Sequence, residues 1–538
     1  MVDNLLAQSG APNPRDTRED AAAPRAEPAA MNVAGANPAQ NWCRIGDAVV
    51  LLIWMCVTNF TIRYHEKWAD EAQAWLIARD LDLRSIWFHE LRYEGSPGLW
   101  HTILWVAQHV FHAGYGTIGY IGLAGATAGA ALLIFKAPFP RYIRWPLAFT
   151  YFMVYQYAVI ARPYTLLPLL AFAAAMLFKD IQHPERMTVV LILLANLSFH
   201  GTIIAGCIGL AYLIDAIKGW SALGDRVRGR YVFCVAAMAI TFIFLFLILK
   251  PSPDVEDVVA KMHSAQMPKL SDTDEPSASW KLLVVLTGSF FDQPLVSGVF
   301  ILLAGAWCLM RRRLLTFLLP IALLVALYVG VHGFAHHIGT VFVAAITGFW
   351  IAWPTSAEWK LLTPRQRLAT QGMVVLLVCL SAHEMFDAGV VIRHEYLYPY
   401  SGADDATRYL KSVKADRGPI FGYLYGMVGV QAYFDHNILA NVPTAYFHHG
   451  LPFTANHVDF YEMARVSPEY VVFCFGTTYP QKVLDEISPP MNTNGYELAH
   501  FSDGYMFNKR GVYERQVYFI FRRTHASASP QQMMLPRP

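Results

Sequence analysis

The sequence predicts a polytopic α-helical membrane protein of about eleven transmembrane helices, with an amphipathic first outer loop and a small C-terminal α/β domain. Three observations carry that class. Of 538 residues, 55% are hydrophobic and only 15% charged, with a mean hydropathy of +0.32, a balance foreign to a soluble enzyme. Apolar runs of membrane-helix type recur between residues 47 and 386. From about residue 399 the pattern changes to short β-rich runs between amphipathic helices.

Residues 1–42 are rich in Ala, Pro, Asn and charge, with almost no large apolar side chains. They bury too little surface to offset the entropy of ordering, so a disordered cytoplasmic N-terminus is expected. It does not read as a signal peptide, because the hydrophobic run begins only near Asp47 and no small-residue cleavage site follows. Spans are expected at about 47–63, 117–135, 144–160, 163–179, 187–199, 201–218, 231–250, 295–310, 314–331, 337–353 and 368–386.

A cytoplasmic N-terminus puts Lys136/Arg141/Arg144, Lys179/Arg186, Arg226/Arg228/Arg230, Arg311–Arg313 and Lys360/Arg365/Arg367 on the inside. This requires that residues 98–112, with His101, Gln108, His109 and His112, lie on the surface or re-enter rather than cross. The transmembrane domain then covers 43–390, and residues 64–100 form its first outer loop. An α/β domain at 391–523 lies on the same outer side, followed by a flexible tail at 524–538. In that domain Ala403–Val413 and Tyr479–Ile487 read as helices. Pro419–Tyr423, Tyr470–Phe475, Glu497–Phe501 and Gln516–Phe521 read as strands. No Gly-rich phosphate loop accompanies them, which argues against a nucleotide site. A net charge of +2 without a basic face argues against nucleic acid. Seven cysteines without a CxxC imply neither a zinc framework nor a disulfide scaffold.

The loop Tyr64–Trp100 carries the chemistry. Asp70–Glu71 stands a few residues past the first span, and carboxylates that close to a bilayer are costly and usually functional. Ala74, Ile77, Ala78 and Leu81 share one helical face; Leu83, Ile86, Trp87 and Leu91 share another. Trp68, Trp75, Trp87, Trp100 and Trp105 are of the type that sits at a membrane–water boundary. The loop therefore reads as two helices on the membrane surface presenting Asp70 and Glu71 to a lipid-linked substrate. Activating a hydroxyl there needs a carboxylate as general base or as ligand to a divalent metal. The competing reading is a solvated pair favouring the helix dipole.

Arg162, between two spans in Ala-Arg-Pro-Tyr, has the planar fork that suits a phosphate, or it snorkels to the interface. His336 and His337, with His332 nearby, open a late span, where imidazoles at a helix N-terminus suit an anion. Successive helical residues point about 100° apart, so one of the two, His337, is favoured. The competing reading is interface histidines without a ligand. His200 follows an unusually short span, of the kind that lines cavities. Tyr93 and Glu94, at the turn closing the loop, could reach an acceptor or only make the turn. His448–His449 reads as surface.

Taken in order, Trp-Ala-Asp-Glu-Ala after the first span, Tyr-Glu-Gly-Ser-Pro-Gly-Leu-Trp closing the loop, Ala-Arg-Pro-Tyr-Thr-Leu, and a late His-His resemble the GT-C glycosyltransferases. The branch is that of the protein O-mannosyltransferases and the aminoarabinose and lipopolysaccharide-core sugar transferases. The resemblance covers roughly residues 45–390. It implies a GT-C-like bundle in a bacterial inner membrane with its active face in the periplasm. It also implies transfer of a hexosyl or pentosyl group from a polyprenyl-phosphate donor to a hydroxyl of a lipid, glycan or protein, usually with inversion. By carry-over, Asp70 deprotonates or orients the acceptor and Glu71 supports it. Arg162, His336 and His337 lie toward the donor phosphate, and Tyr93, Glu94 and His200 toward the acceptor. Two positions depart from the family pattern: Ser-Pro-Gly-Leu stands where relatives often have His-Pro-Pro-Leu, and Arg-Pro-Tyr has no nearby Asp. The second weighs against a bound divalent metal, so transfer is expected to be metal-independent or weakly metal-assisted. A transporter or flippase of lipid-linked glycans would show paired inverted halves, and no internal repeat is found. A non-catalytic sensor would leave the acidic amphipathic loop without a purpose.

Overall fold

A computed structural model describes residues 38–250, 277–330, 337–424, 426–442, 444 and 458–524. Of the segment 1–42 expected to be disordered, 1–37 lies outside those residues, as do the tail beyond 524 and His332, His336, His448 and His449, whereas 38–42 is helical. The first helix, Pro38–Tyr64, starts before the apolar run begins.

Among the described residues, five helices are long and apolar enough to cross a membrane: Cys43–Tyr64, Tyr115–Lys136, Phe199–Lys218, Asp225–Leu249 and Pro364–Leu397. Ala278–Ser289 and Pro294–Met310 make a sixth if taken as one span bent by 71°. Pro163–Leu177, Leu314–Gly330 and Gly339–Ala352 are apolar but shorter. The chain is a multi-pass membrane protein, but its helices are less regular than eleven even spans. The 144–160 stretch shows why. Pro146 lacks an N–H and sits in the helix Arg141–Ala148, which stops there. A separate π-helical turn, Phe152–Gln156, follows it. At one set of helix ends the basic side chains meet carboxylates: Arg141 grips Asp47 at 3.0 Å with two nitrogens, Arg311 reaches Glu358 at 2.7 Å, and Arg313 pairs with Asp215.

The first loop folds into Ala69–Asp80, Leu83–Ser85, a π turn at Ile86–Glu90, and Leu91–Glu94. Gly95 ends this run in the left-handed conformation (φ 60°), which costs glycine least. Next comes Leu99–His109, eleven residues and so about 16 Å long, roughly half a bilayer core. Ala69–Asp80 is enclosed by protein rather than lying bare on one face. Eight of its twelve residues are buried, because it packs against protein on more than one face. Gln108 donates to the Trp75 carbonyl at 3.1 Å from one side. From another, Ala72, Trp75 and Leu76 share an apolar core with Ala403, Val428 and Tyr518 of the C-terminal part.

That C-terminal part holds a four-stranded sheet in the order β1-β2-β4-β3. β1 (Ile420–Tyr423) runs parallel to β2 (Tyr470–Thr477). β4 (Gly511–Arg523) runs antiparallel to both β2 and β3 (Tyr496–Asn508). The helices Ala403–Ser412 and Pro480–Thr493 lie near their expected places. β3 and β4 run well past the apolar windows that announce them. Their polar continuation pairs across the ladder through Asp503 and Arg515, and Gly504 lets the backbone of Ser401–Gly402 pass against it. The lengthened hairpin carries Lys509 at its tip to Glu384 on the spanning helix Pro364–Leu397, at 2.6 Å.

Candidate active site

Two turns of chain, the start of Ala69–Asp80 and the segment 161–164, meet through one carboxylate. Glu71 is fully buried. Its Oε1 accepts the backbone N–H of Ala161 at 2.7 Å, and its Oε2 accepts the N–H of Trp68 at 3.2 Å. The second bond ties down a free donor at the helix start. His65 lies between Glu71 (3.1 Å) and Glu395 (2.7 Å), and Tyr155 donates to the other oxygen of Glu395 at 2.7 Å. Burial alone would lower the His65 pKa, yet the carboxylates Glu395 and Glu71 raise it to about 10. A buried charge needs partners of this kind.

One residue beyond Ala161, Arg162 pairs with Asp70. Both side chains keep about a fifth of their surface exposed, and the guanidinium lies 5.9 Å from the Trp68 ring centroid. Pro163 then opens a short 3-10 turn that continues into the helix Leu167–Leu177. Tyr164, on that turn, meets Nδ1 of His200 through its hydroxyl at 3.1 Å. The rings of His200 and His337 lie 4.8 Å apart, and His337 is parallel to Tyr328 within 9° at 6.3 Å. Tyr328 donates to the His337 carbonyl at 2.9 Å, which fixes the chain just before Gly339–Ala352. Gly339 is needed there, since a Cβ would come within 2.3 Å of the Phe152 ring and 2.6 Å of the Tyr157 hydroxyl.

Of the residues singled out from sequence, Asp70, Glu71, Arg162, His200 and His337 are thus linked in one neighbourhood through 161–164. Glu71 faces inward as a tie between segments, whereas Asp70 is part-exposed beside Arg162. Tyr93 and Glu94 sit on Leu91–Glu94, where Glu94 lies 3.9 Å from the buried His101. Burial and the neighbouring Glu90 raise the Glu94 pKa to about 8, and burial lowers His101 to about 4. Sequence reading missed His65, Tyr155, Tyr164, Tyr328 and Glu395. Only Glu395 carried a signal, as a carboxylate at the end of a long apolar helix. The tyrosines look like ordinary span residues until their partners are known.

No protein-family profile matches the chain, and no curated protein is similar to it in sequence. Solved structures resemble it in fold. ArnT from Cupriavidus metallidurans in the apo state superposes with a TM-score of 0.52 at 12% identity, over 90% of this chain and 98% of that one. ArnT from the same organism bound to undecaprenyl phosphate gives 0.51 at 13%, over 92% and 100%. The chain shares the fold of those ArnT structures. At this identity the likeness is one of architecture. It extends beyond residues 45–390, roughly two thirds of the chain, and so takes in much of the C-terminal α/β part as well.

Proposed function

We propose that this protein is a glycosyltransferase of a bacterial inner membrane, moving a sugar from a polyprenyl-phosphate donor to an acceptor hydroxyl at the periplasmic face. The observation that carries this reading is the pairing of Asp70 with Arg162 at a part-exposed spot, joined through Tyr164 to the imidazoles of His200 and His337. The solved ArnT complex with undecaprenyl phosphate supports the donor class, and the apolar helices support the setting.

The chemistry divides between the two members of the pair. The acceptor oxygen forms a bond to the anomeric carbon while the bond from that carbon to the donor phosphate oxygen breaks, and its electron pair leaves with the lipid phosphate. Asp70 takes the acceptor proton as general base. Arg162 presents N–H donors to the phosphate, whose charge grows as it departs, with His337 on the same side. His200, expected from sequence toward the acceptor, is reassigned to this side because its ring lies 4.8 Å from that of His337. Glu71 acts as a positioning residue, since its bonds to Ala161 and Trp68 hold Asp70 and Arg162 in register. No step needs a metal on these residues. The acceptor class is a lipid, glycan or protein hydroxyl, and Tyr93 and Glu94 are assigned to its approach.

The test is sugar transfer in membranes supplied with radiolabelled polyprenyl-phosphate sugars, comparing wild type with Asp70→Asn at matched expression. Transfer that falls about 10²–10⁴-fold in the variant supports the assignment. Equal transfer removes Asp70 from the chemistry, and donor lipid moved across the bilayer without transfer favours a flippase.

A further inference from the structure

Away from the Asp70 neighbourhood, three segments far apart in sequence bring together a second set of charged groups. Asp292 lies in the break between Ala278–Ser289 and Pro294–Met310. His383 and Asp387 are four residues apart on Pro364–Leu397, a spacing that sets them on one helix face. The tip of the β3–β4 hairpin supplies Lys509 and Arg510 beside them.

The donor atoms are arranged for an ion rather than for each other. Nε2 of His383 stands 3.6 Å from Oδ2 of Asp292 and 3.7 Å from Oδ2 of Asp387, too far for hydrogen bonds. The three donor atoms all lie within 4.8 Å of one another. Among the described residues, Nε2 of His383 and Oδ2 of Asp387 are buried without a hydrogen-bond partner, and Asp387 is only 4% exposed. Buried polar atoms normally find hydrogen-bond partners, and beside His383 the Oδ2 of Asp387 has the Lys509 ammonium only as an ionic neighbour at 3.8 Å, so the two facing atoms need an explanation. Ligand bonds of about 2.0–2.1 Å at tetrahedral angles give ligand–ligand edges of about 3.3 Å, a few tenths of an ångström less than the two spacings from His383.

We propose that Asp292, His383 and Asp387 form a divalent transition-metal site, of the zinc class, that fastens the broken span to the helix Pro364–Leu397. One imidazole with two carboxylates suits zinc-like ions and disfavours calcium and magnesium, which prefer all-oxygen shells. Asp292 is 41% exposed at its side chain, leaving an open side for entry and for a water ligand. The ring of Phe291 stacks on His383 at 5.5 Å and holds the imidazole plane. Lys509, 3.8 Å from Asp387, and Arg510, 4.0 Å from Asp292, offset part of the negative charge and so moderate the affinity. The fastened segment touches the candidate active site: Ser289 donates to the carbonyl of Ile338 at 3.3 Å, next to His337.

The test uses the full-length protein purified in detergent, stripped with chelator, reloaded with Zn²⁺ and freed of excess by gel filtration. Wild type and a His436→Gln control, at an exposed histidine beside Asp435 and outside the proposed ligand set, are expected to retain about one equivalent and to melt higher with Zn²⁺ than without. Asp292→Asn, in an exposed turn where folding is not at stake, and His383→Gln are expected to bind at least about 10-fold more weakly and to lose the thermal shift. Retention of no Zn²⁺ by wild type overturns the proposal. So does equal retention by wild type and both variants, which would put the ion elsewhere.

Discussion

Glu71 accepts the N–H of Ala161 at 2.7 Å, and that bond determines where the next residue goes: Arg162 arrives beside Asp70, the residue preceding Glu71. The two members of the charged pair are 92 residues apart in sequence, yet each is a chain neighbour of one end of a single buried hydrogen bond. Loss of the bond would leave a carboxylate oxygen and an N–H unsatisfied in the interior, so the arrangement resists loosening.

The first prediction concerns that pair. If Asp70 and Arg162 act as a unit, their effects on transfer should not add. Asp70→Asn and Arg162→Ala are each expected to lower transfer by about 10²-fold or more, and the double variant by about as much as the worse single one. Arg162→Lys keeps the charge but loses the planar fork, so its main expected effect is a raised KM for the donor. Steady-state transfer with graded donor measures all four.

His65 gives a stability signature with a definite pH window. Its folded pKa, about 10, lies above the ordinary 6.5 because Glu395 and Glu71 outweigh burial. A raised histidine pKa stabilises the fold fully below about 6.5, loses effect as pH climbs, and contributes nothing above about 10. His65→Gln, which strands two buried carboxylates, is expected to cost about 3–5 kcal/mol near neutral pH. The gap in melting temperature between wild type and variant should narrow as pH approaches 10. A gap that widens with pH would mean His65 is neutral in the folded protein.

Glu66 is predicted to lower stability in the same direction of pH, as a penalty acquired rather than a gain lost. Burial, with Asp404 adding to it, raises its pKa from 4.5 to about 8. A raised carboxyl pKa favours the protonated form in the fold, so ionisation penalises stability increasingly from pH 4.5 to 8. Glu66→Gln should therefore match wild type at pH 4.5 and melt higher at pH 8, by thermal scans of the same detergent-purified protein.

Gly339→Ala tests the wall of the site. Its methyl group would fall 2.3 Å from a Phe152 ring carbon, and the crowded contact must push the helix start aside. A loss of about 1–3 kcal/mol is expected, as for overpacked cores. Because His337 precedes this glycine by two residues, transfer should fall beyond what the lost stability explains. Activity measured well below the variant's melting temperature separates the two effects.

The sequence by itself determined the membrane class, the apolar runs, the α/β pattern after residue 399, and the loop that carries Asp70. These are local properties, written in hydrophobic period and in the cost of placing charge near lipid. Arg162, His200 and His337 were legible as residues of the right chemistry at span ends. What only the tertiary structure decided is how they meet. The helix Ala69–Asp80 is buried between Leu99–His109 and the C-terminal core because both partners offer it an apolar surface, and neither lies near it in sequence. The His65–Glu395 pair spans 330 residues, and the β3–β4 hairpin reaches Glu384 only because its polar half continues the ladder. Buried charges choose partners by proximity after folding, and no periodicity along the chain encodes that choice.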